Sequence, residues 1–205
     1  MVAYHKIQSV FKRDPANNHK RFLMWDFTLP EFECLKDIHW EGTEKIDGTN
    51  IRLYKDGRIC GRTDNAQIPT SLMVHLLTVS KKLQESDLPD STVLYGEGYG
   101  EKIQNGHQYI PNGQSFALFD VMICGNFQPR SSVLDVAVKL DIPVAPVIEC
   151  MSLVDWVKAI QAGEFIDSVL HPGAENEGVV LRPLTELRTR TGDRIITKLK
   201  FKDFF

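Results

Sequence analysis

The sequence predicts an α+β fold, with antiparallel β-sheets flanked by helices, on three observations. Strand-type stretches outnumber helical ones, and most successive strands are joined by turns rather than by helical crossovers. The length of 205 residues, 42% of them hydrophobic, suits a single soluble domain spanning residues 1–205, with no internal repeat and no linker-like segment. In chain order, Asn50–Tyr54 and Arg58–Cys60 are short β-rich stretches, and Asp56-Gly57 between them reads as a hairpin turn. Thr70–Leu83 places Leu72, Leu76, Val79 and Leu83 on one helical face. Thr92–Tyr95 and Ser115–Ile123 return to strand character. Ser131–Leu140 reads as a helix behind a serine cap, and Ser152–Ala162 as another helix. Gly178–Leu181 and Arg194–Leu199 are the last strands, bounded by Gly, Asn and Asp.

A formal net charge of -3 argues against a protein that grips nucleic acid by bulk charge. The charge is uneven, however. Leu181–Phe205 carries seven basic residues against three acidic ones, so this stretch is +4 and the remainder -7. No stretch approaches the roughly 20 apolar residues of a membrane span, and Met1–Lys20 is interrupted by charges before a signal-like block can form. A cytoplasmic protein without membrane association is expected. Cys34, Cys60, Cys124 and Cys150 lie far apart and read as reduced core residues, neither disulfide framework nor zinc site. The six histidines show no metal-ligand spacing, although His107 lies in a polar Gly100–Gly113 loop that could border a cleft. Trp25, Trp40 and Trp156 are expected in the core.

Phosphate chemistry cannot use a P-loop here, because no Gly-Lys dipeptide exists. Side chains must hold any phosphate, and Glu44-Lys45-Ile46-Asp47-Gly48-Thr49-Asn50 puts a lysine just before a turn and a strand. A lysine attacks only as the neutral amine, which desolvation or neighbouring cations favour. Thr197-Lys198-Leu199-Lys200 would put two ammoniums on one strand face, by the period of two, although such a pair more often simply faces solvent. Glu97 in Tyr95-Gly96-Glu97-Gly98 and Glu177 in Glu175-Asn176-Glu177-Gly178 are carboxylates beside glycine and an apolar strand, suited to a hard divalent ion. Phe116-Ala117-Leu118-Phe119-Asp120 adds an aromatic strand on which a nucleobase could stack.

Taken in order, K-x-D-G-x-N from Lys45, Gly61-Arg62-Thr63, Y-G-E, F-A-L-F-D, E-G-V-V and K-L-K resemble the motifs of the covalent nucleotidyltransferase superfamily of ATP-dependent ligases and mRNA capping enzymes. The lysine motif, with asparagine at position 50, is most similar to the phage-type RNA ligase 2 family. The resemblance implies an ATP-grasp-like nucleotidyltransferase fold and an ATP-dependent RNA ligase of RNA repair. It implies Lys45 as the nucleophile that carries AMP, and Lys198 and Lys200 on the α-phosphate. Glu97 and Glu177 would organise ribose and Mg2+ or Mn2+, Arg62 the ribose or the incoming RNA end. Phe119 and Val180 would sandwich the adenine and Glu44 read its edge, with Ile46, Asp47, Asn50 and Asp120 completing the nucleotide pocket. Arg182-Pro183 departs from the lysine many members carry. Five residues follow Lys200, so the OB or other C-terminal domain common in relatives is expected to be absent, with a partner chain as the candidate to replace it. DNA ligase, GTP-using guanylyltransferase, and a module that binds nucleotide or RNA ends without sealing them are the alternatives.

Overall fold

Residues 4–204, described by a computed structural model, form sixteen elements of sheet and α-helix. The chain opens with β1 (Gln8–Ser9), β2 (Phe11–Arg13), β3 (Phe22–Phe27), α1 (Pro30–Cys34) and β4 (His39–Glu44). Then come β5 (Thr49–Tyr54), β6 (Ile59–Gly61), α2 (Thr70–Glu85), β7 (Val93–Gly100), β8 (Gln114–Ile123), β9 (Asn126–Phe127) and α3 (Arg130–Leu140). The last are β10 (Val147–Ser152), α4 (Leu153–Gln161), β11 (Gly178–Pro183) and β12 (Thr197–Lys200). Strands outnumber helices and pair mainly antiparallel, as the sequence predicts.

The elements divide into two compact units. The first comprises Tyr4, His5 and Ile46–Ala145, and contains the sheet β6-β5-β7-β8-β9. Its core is the predicted face of α2 (Leu72, Leu76, Val79, Leu83) with Val133, Val136 and Leu140 of α3, packed on Ile51, Leu53, Leu94, Phe116 and Leu118. Burying these side chains in a close-packed cluster contributes roughly 1.5–3 kcal/mol for each large aliphatic or aromatic residue. The hairpin turn at Asp56-Gly57 is present, with Gly57 at φ +91 and its N–H donating to the Tyr54 carbonyl at 2.9 Å. The second unit comprises Lys6–Lys45 and Pro146–Phe204. It holds the sheet β1-β12-β11-β4-β10 and the hairpin β2-β3. Trp40, Leu153, Trp156, Val157, Ile160, Val179 and Leu199 are central to its core.

Several expectations need correction. Pro129, not a serine, is the N-cap of α3; Ser131 and Ser132 lie within the first turn, because proline's fixed φ of -63 already sets the entry of the chain. None of the cysteines is a core residue: Cys34 and Cys124 are exposed and Cys60 and Cys150 half-buried, though all four are free thiols. Cys124 occupies the turn between β8 and β9 at φ +50, which keeps it at the surface. Trp40 and Trp156 are fully buried, whereas Trp25 is 47% exposed at a left-handed position of β3, φ +67. Strands β1, β2, β3, β4, β9 and β10 and the short helix α1 escape the sequence reading. Among the described residues no helix is long and apolar enough to cross a membrane.

Candidate active site

In the second unit the site is built around the start of β11. Gly178 has φ +154, and a Cβ at this position would lie 2.1 Å from the Leu199 carbonyl oxygen, so glycine alone lets β11 lie against β12 here. The Gly178 carbonyl accepts the Lys45 N–H at 2.9 Å, and the Glu177 carbonyl accepts the Phe201 N–H at 3.1 Å. Asn176 Oδ1 accepts the Gly178 N–H at 3.0 Å. These bonds bring Glu177 beside the residue that follows β4, and the register places Lys200 opposite Gly178.

The Glu177 carboxylate consequently takes Lys45 Nζ on Oε2 and Lys200 Nζ on Oε1. The side chains of Lys45, Glu177 and Lys200 are 21%, 13% and 21% exposed, so these charges meet largely away from water. Burial pushes the Glu177 carboxyl up, but the Lys45 charge and the hydrogen bonds from both lysines outweigh it and hold the carboxyl below its ordinary value. Lys198 lies opposite Val180 in the register, two residues from Lys200, and both lysines border one cavity, as their period-two spacing predicts. The expected crowding of Lys45 by cations is corrected in one respect. A carboxylate stands between Lys45 and Lys200 and offsets part of their charge.

Glu44 does not join this group. Its Oε1 accepts the Ser168 hydroxyl at 2.6 Å, and its Oε2 accepts the N–H groups of Val169 and Leu170 at 2.8 and 2.9 Å. With 2% exposure, Glu44 anchors the 168–170 turn, leaving little capacity to read a base edge in this arrangement.

In the first unit, Asn50 of β5 and Glu97 of β7 are directly opposite, which puts the two side chains on one sheet face. Gly48 explains how the chain enters this strand, since a Cβ there would lie 2.3 Å from the Gly98 carbonyl and 2.9 Å from Glu97 Cγ. Asn50 Oδ1 is buried without a hydrogen-bond partner, an acceptor that a ligand hydroxyl or amino group would satisfy. Asp47 accepts from Asn105 Nδ2 at 3.0 Å. Ile46 is buried. Phe119 is the extra residue of a β-bulge, because Tyr95 and Gly96 pair with Asp120 and Leu118 on either side of it. The bulge turns Phe119 out of the strand's alternation, and its ring meets Tyr4 edge-on at 5.1 Å. Asp120 is wholly buried and accepts the Tyr4 hydroxyl at 2.5 Å, so it is a core carboxylate instead of an open pocket wall. Arg62 is exposed in the loop after β6.

Sequence reasoning missed the side chains that hold this frame. Arg52, fully buried, donates to the Gly61 carbonyl at 2.8 Å and pairs with Asp64 at 2.7 Å, clamping the loop that carries Arg62. A lone arginine in the apolar strand Asn50–Tyr54 was the available signal. Asn176 also donates to the Phe165 carbonyl at 3.1 Å, and its adjacency to Glu177 was a hint. Tyr4 gave none.

For a divalent ion the donor set is sparse: among the described residues no three His, Cys, Asp or Glu side chains come together as a metal site. Magnesium-type ions held by one or two carboxylates and substrate phosphates do not need such a cage. Glu177, carrying a lysine on each oxygen, would have to release one of them to serve as a ligand.

The sequence model of the RNA ligase family matches residues 38–200. Comparison with curated protein sequences finds no match. Among solved structures, the chain resembles Naegleria gruberi RNA ligase in a mutant form with ATP and Mn, at 21% identity and a TM-score of 0.69. The same ligase with PPi gives 21% identity and 0.66, and a mutant form with AMP and Mn 20% and 0.68. Each alignment covers 97% of this chain and 56% of the Naegleria chain, so this chain spans little more than half the length of that protein.

Proposed function

Because this chain belongs to the RNA ligase family, we propose that it is an ATP-dependent RNA ligase joining 3′-hydroxyl and 5′-phosphate RNA ends through AMP held on Lys45. The observation that carries this reading is the convergence of Lys45 and Lys200, from separate segments of the chain, on the two oxygens of Glu177. Its first chemical step is attack by the neutral Lys45 amine on the α-phosphorus of ATP. A P–N bond forms, the bond to pyrophosphate breaks, and the amine proton leaves. Lys200 and Lys198 would offset charge on the α-phosphate oxygens as that bond forms. In the second step an oxygen of the RNA 5′-phosphate displaces Lys45 from AMP, breaking the P–N bond and returning a proton to the amine. In the third the 3′-hydroxyl displaces AMP, giving the phosphodiester.

Glu177 is well placed to hold Lys45 until the nucleotide arrives. Asn50 and Glu97 share a face that suits ribose hydroxyls, with the unsatisfied Asn50 Oδ1 as the acceptor. Bound Mg2+ or Mn2+ would supply charge neutralisation at the phosphates, held in the second unit by Glu177 on an oxygen that one lysine releases, and Glu97 is a separate candidate carboxylate of the first unit. Asparagine at position 50 supports RNA over DNA and the affinity to phage-type RNA ligase 2. Arg62, Phe119 and Val180 remain candidates for the RNA end and the adenine.

Intact-mass measurement after ATP and magnesium tests the reading. A mass increase of one AMP is expected on the wild-type chain and none on Lys45→Ala with unchanged circular dichroism. An adduct that survives in Lys45→Ala would remove this lysine from its role. Parallel GTP, and nicked RNA, nicked DNA and free single strands as acceptors, separate the reading from guanylyltransferase and DNA ligase. Adduct formation without joining would point to a partner chain or to a binding module.

A further inference from the structure

The second unit contains a cavity of about 660 Å³ whose walls carry Lys6, Lys12, Arg13, Lys198, Lys200 and Lys202, with His19 and the single acid Asp203. These cations come from three places in the sequence, before β1, on β2 and along β12 with the residues after it. The folded sheet assembles a charge density that the net charge of -3 conceals.

Some of this charge is already committed. Arg13 pairs with Asp203 at 2.7 Å, and Lys200 with Glu177. Lys12 and Asp26 pair at 2.7 Å with both side chains about half exposed, a bond that water screens and a polyanion can displace. Lys6 and Lys202 are exposed. The balance along the walls remains strongly positive.

We propose that this trough is the subsite that holds the phosphate backbone of an RNA strand while the strand's end is at Lys45. The choice of RNA rests on the proposed ligase activity. It also follows from continuity, since Lys200 both lines the trough and shares Glu177 with Lys45, so a strand lying along the cations ends at the nucleophile. A concave wall studded with ammoniums fits a flexible chain of phosphates, whereas a bilayer surface would need a flat or protruding patch. Phosphate contacts fix position and carry no sequence preference, so the trough supplies grip and leaves specificity to other contacts.

The test uses Lys6→Ala/Lys12→Ala/Lys202→Ala, three exposed positions with no part in the nucleotidyl site. As a control, Lys81→Ala/Lys102→Ala/Lys158→Ala removes the same charge at exposed lysines that do not line the trough. Binding of a 5′-phosphorylated single-stranded RNA is followed by fluorescence anisotropy across a potassium chloride series, without ATP. Each lost phosphate contact lowers the slope of log K against log salt by about 0.7 for a single strand. The trough variant should therefore lose about 2 in slope and bind roughly tenfold or more weakly at 0.1 M salt, while forming the Lys45 adduct at the wild-type rate. The control should bind as wild type. Equal losses in both variants, or an unchanged slope in the trough variant, would overturn the proposal. If no adduct forms on any variant but RNA binding still depends on the trough, the ligase reading fails and the subsite stands.

Discussion

Glu177 carries an ion pair on each carboxylate oxygen, and its titration is the most direct handle on the site. Its carboxyl lies below the ordinary value of 4.5 in the folded chain. The folded state therefore binds the proton less readily than the unfolded state, and the stabilisation is complete above pH 4.5 and fades as the pH falls through the folded value. Glu177→Gln leaves two lysines without their shared anion and should cost roughly 2–4 kcal/mol at pH 7. In urea denaturation, the gap between wild type and this variant should narrow progressively below pH 4.5. A gap of constant size from pH 7 to 3.5 would show that the carboxylate is not paired in solution. At this scale the sequence supplied the residue types, since Lys45, Glu177 and Lys200 are all visible in their motifs. Their pairing was not visible, because 132 residues separate Lys45 from Glu177. Glu44 illustrates the converse: adjacent to Lys45 in sequence, it is committed to the 168–170 turn.

Elements place these residues through backbone geometry that few substitutions tolerate. Gly178 has a conformation that a Cβ-bearing residue reaches only with strain, and the nearest obstacle is backbone, which cannot swing aside. Gly178→Ala should cost about 2–3 kcal/mol, lowering Tm by roughly 5–10 °C for a chain of this size. It should also slow adduct formation, since Lys45 hangs from the Gly178 carbonyl. Normal adduct formation at full stability would mean that β11 accommodates the side chain elsewhere. Periodicity identified α2, α3, α4 and half of the strands, because one-sided burial leaves a regular apolar pattern. It gave the strand at β8 but not the bulge at Phe119 that shifts its alternation, and it failed at β4, a central strand whose Gly42 and mixed polar residues weaken the pattern.

Across the whole molecule, two apolar clusters lie under two five-stranded sheets, one within each compact unit. Leu76→Ala, at a site with no exposure, should cost about 2–5 kcal/mol in urea denaturation. Val74→Ala, on the same helix but 64% exposed, should stay within about 0.5 kcal/mol. Similar costs at both positions would contradict this orientation of α2. The α+β class, the predominance of antiparallel pairing and the ordered chemical motifs were determined by the sequence itself, because they depend on local periodicity, turn chemistry and fixed short spacings. Only the tertiary structure decided which charges meet: the shared carboxylate of Glu177, the commitment of Glu44 and Asp120, and the basic trough gathered from opposite ends of the chain. The reason is physical. Strand pairing across long loops sets which side chains approach, and at close range, shielded from water, it is approach that determines how charges interact.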